Sequence, residues 1–344
     1  MIIALDAMGG DHAPSAIVEG AVEALNEYDD LEIILVGDEP SIRKELMGKR
    51  FPALRVRITH APEVIGMGES PMAAIRKKRK SSIRMAVDLV KAGEAHAVVS
   101  AGHSGVVMAL ALIVLGASTG VDRPAIAAMM PTFKKPFVLI DAGANVDSSP
   151  VNLFQFALMG NAFAKHILGR PSPRVAILSI GEEESKGNEL TKESFKLIQP
   201  SGLNFMGNIE GKDLFSGEAD VVVCDGFIGN IVLKTSEGLA ETVIKMLKQE
   251  IGGLPTGRLG YLFIKGALRG FKKKTDYAEY GGAPLLGING TCIIGHGRST
   301  SKAIKNALKV ASEFSRKKMY EIIREEINKN KTALPLKGNP VAAG

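Results

Sequence analysis

Tryptophan is absent from this 344-residue chain, and aromatic residues together make up only 5% of it. Proteins that grip nucleic acid single strands stack bases on aromatic rings set among basic side chains. Few such rings lie near the basic runs here, so the formal charge of +6 does not read as a nucleic-acid footprint. Cysteine is nearly absent too. Cys224 and Cys292 each sit in an apolar run, which argues against a disulfide framework and suits a reducing cytoplasm. Neither has neighbours at zinc-ligand spacing. No run of about 18 apolar residues occurs, so no segment is expected to span a bilayer. The opening MIIALDAMGG lacks the basic region and long apolar stretch of a signal peptide. No GxxxxGK sequence occurs, which excludes an ordinary P-loop ATPase. No clear helical DxxxD cluster occurs, which argues against a metal-dependent decarboxylating dehydrogenase.

What is present is glycine, 38 residues of it, within a chain that is 45% hydrophobic. This length holds one large or two medium domains, and the composition suits an α/β enzyme with many tight turns. Residues 2–6 read as a first strand, and Pro14 opens a helix running to Leu25. LEIILVGD (31–38) and RVRITHAP (55–62) are further strands, with a helix at 40–48 between them. Alternation of this kind implies right-handed βαβ units and a parallel sheet. AVVSAGHSG, FVLIDAGANVD (137–147) and VAILSIGEEESKGNE (175–189) repeat the theme, each strand ending in a polar turn.

The stretch DVVVCDGFIGNIVLKTSE, Asp220 to Glu237, carries the theme furthest. Val221–Cys224 read as a buried strand. Asp225-Gly226 ends it, and Gly229-Asn230 opens a helix with Val232, Leu239, Val243 and Leu247 on one face. Backbone N–H groups and the positive helix end gather at such an edge, so an anion is the natural guest. Lys234, one turn in, reaches back towards it. The plainer alternative is a tight turn with an N-cap. Ser104 in GHSG faces an anion in the same way; His103 beside it either orients that anion or is structural. Asp6 and Asp11 flank the first Gly-rich turn, and Asp141 and Asn145 lie on another. Glu183, Lys186 and Asn188 share a loop able to neutralise a phosphate while satisfying its oxygens. Residues 287–294 form a hairpin or a strand. HGRS (296–299) opens a last long helix from Ser301 to Asn328.

Two segments are unusually basic. Arg76, Lys77, Lys78, Arg79 and Lys80 form an unbroken run, either a solvated helix face or a dock for an acidic partner. Within 252–275, Leu259, Leu262, Phe263, Gly266 and Ala267 share one helical face, and Arg258, Lys265, Arg269 and Lys272 the opposite one. This pattern fits a helix lying in an anionic leaflet's interface, or an ordinary helix covering the core or a dimer contact. Residues 331–344 lack periodicity and read as a disordered tail.

Taken in order, DAMGGDHAP, SAGHSG, DAGAN, GEEESKGNE, DGFIGNIVLKTSEG and YGGAPLLG with HGRS resemble the bacterial phosphate acyltransferase family over roughly residues 1–328. The resemblance implies an α/β fold similar to the phosphotransacetylases and the isocitrate/isopropylmalate dehydrogenase group. That is a three-layer α/β/α arrangement with a mainly parallel sheet and a cleft between subdomains 1–140 and 141–289, the first rejoined by 290–330. It also implies an enzyme making acyl-phosphate from long-chain acyl-acyl-carrier-protein and inorganic phosphate, for phospholipid synthesis. Homodimers, a cytoplasmic location and peripheral membrane association come with it; no cofactor or metal does. The family has Asn where this chain has His103.

Under that resemblance Lys186 and Lys234 offset phosphate charge, and Asn230 binds phosphate or the oxyanion. Asp225 orients a lysine or Asn230. His296 protonates the leaving sulfur or binds phosphate. Gly10, Ser104, Asn145, Asn188 and Ser299 complete the phosphate site. The basic run gains acyl carrier protein as an acidic partner, and 252–275 gains a membrane. Three rivals stand beside this reading: Cys224 as a covalent nucleophile, a CoA-dependent phosphate acetyl- or butyryltransferase, and a non-catalytic membrane-associated binding protein.

Overall fold

The computed structural model describes residues 1–253, Gly266, Gly270 and 279–330. The first half holds strands β1 (Ile2–Asp6), β2 (Glu32–Gly37), β3 (Val56–His60) and β4 (Ala97–Ser100). Helices α1 (Ser15–Glu27), α2 (Glu39–Leu46), α3 (Pro71–Lys77), α4 (Ser82–Lys91) and α5 (Ser104–Leu115) alternate with them. Strands β5 (Ala125–Met130), β6 (Phe137–Ile140), β7 (Val175–Ser179), β8 (Phe205–Glu210) and β9 (Val221–Val223) follow, with α6 (Pro150–His166), α7 (Glu189–Ile198) and α8 (Gly226–Gly253). The hairpin β10 (Ala283–Leu286) and β11 (Thr291–Ile294) leads into α9 (Ser301–Arg316) and α10 (Met319–Lys329).

Among the described residues, eleven strands join one sheet in the order β3-β2-β1-β4-β11-β10-β5-β6-β9-β7-β8. Parallel pairing holds from β3 through β11 and from β6 through β8. The three pairings around β10 and β5 are antiparallel. The fold is therefore a mainly parallel α/β sheet whose two halves meet at an antiparallel centre. β11 pairs with β4, and α9 packs along α1. Gly20 makes that crossing close: a Cβ there would lie 2.5 Å from the Ser301 carbonyl oxygen.

Strand periodicity of two sends alternate side chains to opposite faces. In β6, Val138 and Ile140 join the core built by α6, α7 and α10, while Phe137 and Leu139 join a smaller one on the other face. Phe163 and Phe314 meet edge to face across the larger core, 5.1 Å between centroids. In the first half, Ile3, Leu5 and Ile33 pack against α1 and α9, and Ala4, Ile34 and Val98 against α4 and α5. Each fully buried Leu or Ile contributes roughly 1.5–3 kcal/mol, so burial on both faces explains the unbroken apolar strands.

Two expectations need correction. Helix α8 begins at Gly226, not at Gly229-Asn230, so Asn230 lies in its second turn and Lys234 a turn beyond. The last helix is two helices, α9 and α10, because Lys318 adopts a left-handed conformation (φ 49°) between them. The apolar face read on α8 is partly exposed: Leu239 and Leu247 are exposed, as are Phe227, Ile231 and Met246. Among the described residues no helix is long and apolar enough to cross a membrane.

Candidate active site

Three strand-end loops of the first half lock together before any ligand is considered. Asp6 ends β1 with its carboxyl buried, accepting from the Ser100 hydroxyl at 2.6 Å and from the Met8 amide at 3.2 Å. Ser100 in turn accepts from the Gly102 amide at 3.1 Å. Burial pushes the Asp6 carboxyl above its usual value, against hydrogen bonds from Ser100, Ser82 and nearby amides that pull it down. Gly9 must lack a side chain here, because a Cβ would sit 2.6 Å from Asp6 Oδ2 and 2.8 Å from the Gly102 nitrogen. The third loop joins when the Asp11 amide donates to the Gly297 carbonyl at 2.7 Å.

The other wall uses a similar device. Asp141 follows β6 and is fully buried; its Oδ1 accepts from the Ile126, Gly143 and Ala144 amides at 2.9–3.1 Å. Its Oδ2 accepts from the Asn145 amide and the Asn145 side chain at 2.7 and 2.9 Å. Desolvation still raises this carboxyl above its usual value despite those donors. The start of α8 rests on this loop. The Gly226 amide donates to the Asn145 carbonyl, and Gly229 abuts the Asp141 carbonyl so closely that a Cβ would lie 1.9 Å from its oxygen. Asn230 is thereby seated over Gly143.

Between these walls lies a cleft of roughly 410 Å³. Its polar lining residues include Asp11, Ser104, Asn230, Lys234, Glu237, His296 and Arg298, and its apolar ones Ile126, Ala128, Met129, Leu233 and Ile294. Lys234 Nζ lies 2.8 Å from Glu237 Oε2 and 3.1 Å from His296 Nε2. His296 Nε2 lies 3.7 Å from the same carboxylate oxygen. The Arg298 amide donates to His296 Nδ1 at 3.2 Å, an acceptor role that in a neutral ring favours the proton on Nε2, the nitrogen beside Lys234 Nζ and Glu237 Oε2. Burial pushes the Glu237 carboxyl up, but hydrogen bonds from His296 and Lys234 together outweigh it and hold the group below its usual value. His103 caps α5, accepting from the Gly105 amide at 3.1 Å, so it performs the capping that Asn performs well and leaves Ser104 exposed to the cleft.

Of the residues expected at a phosphate site, the cleft brings together Ser104, Asn230, Lys234 and His296. Gly10 lies behind them, with φ 102° and packed on the Gly297 carbonyl. Asn145 is committed elsewhere: its amide nitrogen donates to Pro124 and Asp141. Ser299 is buried, and its hydroxyl donates to the His296 carbonyl at 2.6 Å. Asp225 caps α8, accepting from the Ile228 amide at 2.9 Å, and Asn188 caps α7 by accepting from Thr191. These two line a separate, shallower depression with Asp147 and Phe227. Lys186 is exposed on the loop after β7 and lines neither. Glu237, Arg298 and the bracing role of Asp141 escaped the sequence reading. The signal for Glu237 was available: an acid three residues after Lys234 on one helix forms a pair.

Cys224 is buried, and desolvation, reinforced by Asp141 and Asp225, raises its thiol well above the usual value. Its sulfur lies 3.6 Å from the Asp141 carbonyl, in the small core behind the cleft. A thiol so placed stays protonated and is inert as a nucleophile. Arg76, Lys77, Arg79 and Lys80 are exposed around the end of α3, while Lys78 turns back to Glu69 at 2.6 Å. Leu259, Leu262, Phe263, Lys265, Ala267 and Arg269 lie outside the described residues, as does the 331–344 tail.

The fold is similar to that of a phosphotransacetylase from Streptococcus pyogenes (TM-score 0.61, 19% identity, 92% of this chain and 94% of that one). It is likewise similar to the EutD phosphotransacetylase from Staphylococcus aureus (TM-score 0.58, 18% identity, with the same coverage). At these identities the likeness is one of fold. Curated relatives are far closer. The phosphate acyltransferase of Thermodesulfovibrio yellowstonii is 58% identical over 95% of this chain and 94% of its own. That of Geobacter sulfurreducens is 52% identical over 97% and 96%. With the family model described as "Fatty acid synthesis protein" matching residues 1–322 as well, the chain belongs to this family of phosphate acyltransferases and is an enzyme of the acyltransferase type.

Proposed function

We propose that the enzyme transfers a long-chain acyl group from acyl carrier protein to inorganic phosphate, making acyl-phosphate for phospholipid synthesis. The observation that carries this reading is the cleft itself, with Lys234, His296, Asn230 and Ser104 beside an apolar floor. A phosphate oxygen attacks the thioester carbonyl carbon. The carbonyl electrons move to oxygen, then return as the C–S bond breaks and the phosphopantetheine thiolate leaves. Phosphate is already a competent nucleophile, so alignment supplies much of the acceleration. Asn230 and the Nε2–H of His296 are the donors for the oxyanion, and Lys234 offsets phosphate charge. The apolar floor takes the acyl carbons next to the thioester.

The test is to mix purified protein, long-chain acyl-carrier protein and phosphate, and trap the product with hydroxylamine. Phosphate-dependent hydroxamate from the carrier-bound substrate supports the proposal. Hydroxamate from short acyl-CoA alone replaces it with a phosphotransacetylase reading.

Two surfaces belong to the same proposal. The exposed Arg76, Lys77, Arg79 and Lys80 suit the acidic carrier. Reversing these four charges is expected to raise KM for the carrier substrate about tenfold at low salt, with the difference fading towards 0.5 M, roughly, as screening sets in. A difference that survives high salt excludes steering. Residues 252–275 are proposed to rest on an anionic leaflet through Leu259, Leu262, Phe263 and Ala267, with Lys265 and Arg269 at the headgroups. L262E/F263E protein that floats with anionic vesicles as well as the unaltered protein does removes that segment from the proposal. The exposed apolar side chains of α8, Phe227, Ile231, Leu239 and Met246, support a homodimer.

A further inference from the structure

Among the described residues, the cleft is lined by two basic side chains, Lys234 and Arg298, and two acidic ones, Glu237 and Asp11. One carboxylate oxygen is central to this arrangement. Glu237 Oε2 receives Lys234 Nζ at 2.8 Å and is approached by His296 Nε2 at 3.7 Å, so two nitrogen donors converge on a single acceptor. The two nitrogens are themselves 3.1 Å apart.

We propose that Glu237 is a built-in stand-in for the phosphate substrate: its carboxylate occupies Lys234 at 2.8 Å, and phosphate must displace it to bind there. The inference rests on the proposed phosphate reaction and adds a specificity element to it. A monoanionic carboxylate such as acetate gains little by exchanging with an internal carboxylate already in place. A phosphate dianion offers more charge and more acceptors, so it wins the exchange. Glu237 therefore sets a threshold that weak monoanions fail to cross. It acts through Lys234 and His296 and is a specificity-determining residue rather than a catalytic one.

Glu237 is three residues beyond Lys234 on the same helix, and its side chain keeps about a fifth of its exposure, so its outer edge meets solvent.

The deciding measurement is binding of inorganic phosphate to the full-length protein by calorimetry, comparing wild type, E237Q, E237D and K234A. Glutamine keeps the shape and removes the competing charge. With one unit of repulsion gone beside a partly solvated dianion, E237Q is expected to bind phosphate about 5- to 30-fold more tightly. Acetate should also become a better competitor against phosphate in E237Q. E237D, which keeps the charge on a shorter arm, should stay closer to wild type. In kinetics the E237Q gain should fall on KM for phosphate. Weaker or unchanged phosphate binding in E237Q overturns the inference, as does a fall in kcat at constant phosphate affinity, which would make Glu237 an orienting group for His296. The hydroxamate assay runs alongside. Phosphate that binds at Lys234 without hydroxamate from any acyl donor defeats the proposed reaction, while the E237Q comparison still decides the role of Glu237.

Discussion

Changing Lys234 or His296 to alanine is expected to lower kcat/KM for phosphate roughly 10²–10³-fold, about 2.7–4 kcal/mol at the transition state. Lys234 is half exposed, and its charge is screened by water. An acyl chain on the apolar floor excludes that water, and the same charge then counts for more. The two losses should differ in kind. Phosphate carries its charge before and after attack, so removing Lys234 weakens ground state and transition state alike and appears mainly in KM. The oxyanion exists only along the reaction path, so removing the Nε2 donor of His296 appears mainly in kcat. The double variant should lose less than the product of the single losses, because both groups act on one reacting unit. Steady-state hydroxamate assays at varied phosphate measure all three. Losses below about threefold in both single variants would move the phosphate site away from this cleft, towards the depression bounded by Asn188 and Asp225.

The α/β alternation was legible because buried parallel strands are short apolar runs closed by Asp and Gly, as at IIALD, VVVC and FVLID. The central strand β5 was not. AIAAMM is built of Ala and Met, which favour helix over strand, and its state is settled by the antiparallel neighbours β10 and β6. The break between α9 and α10 carries no Gly, Pro or Asn; it falls on Lys318, an exposed residue in a left-handed conformation that local preference disfavours. At the site, residue types were legible and their convergence was not. Asn145 and Ser299 look like Asn230 and Ser104 in the sequence, yet each spends its polar atoms bracing its own loop. Periodicity also located an apolar face on α8 without saying what covers it. The exposed Leu239 and Met246 show that the answer is not contained in the described part of a single chain.

Gly229 and Gly238 lie on the same helix and should respond to alanine with opposite signs. In isolation each change favours the helix by roughly 0.8–1 kcal/mol. At Gly238 nothing among the described residues lies within 4 Å of the added Cβ, so G238A is expected to stabilise the protein by about 0.5–1 kcal/mol. At Gly229 the Cβ would sit 1.9 Å from the Asp141 carbonyl oxygen, 2.9 Å from its carbon and 3.1 Å from Cys224 Sγ. Two of these are backbone atoms of a loop held by five hydrogen bonds to one buried carboxylate, so the loop has little freedom to retreat. Helix α8 must move instead, and overpacking of this kind costs about 3 kcal/mol. The net expectation for G229A is a loss of about 2 kcal/mol after the helical gain is set against it. The helix carries Asn230, Lys234 and Glu237 with it as it lifts. A displacement near 1 Å at the donors is expected to lower turnover about 10²-fold even in molecules that remain folded. Urea melts of the two variants beside the unaltered protein, followed by turnover at a temperature where all three are folded, separate the two effects. A G229A protein that melts and turns over like G238A would mean that the seat of α8 on the Asp141 loop does not position the cleft.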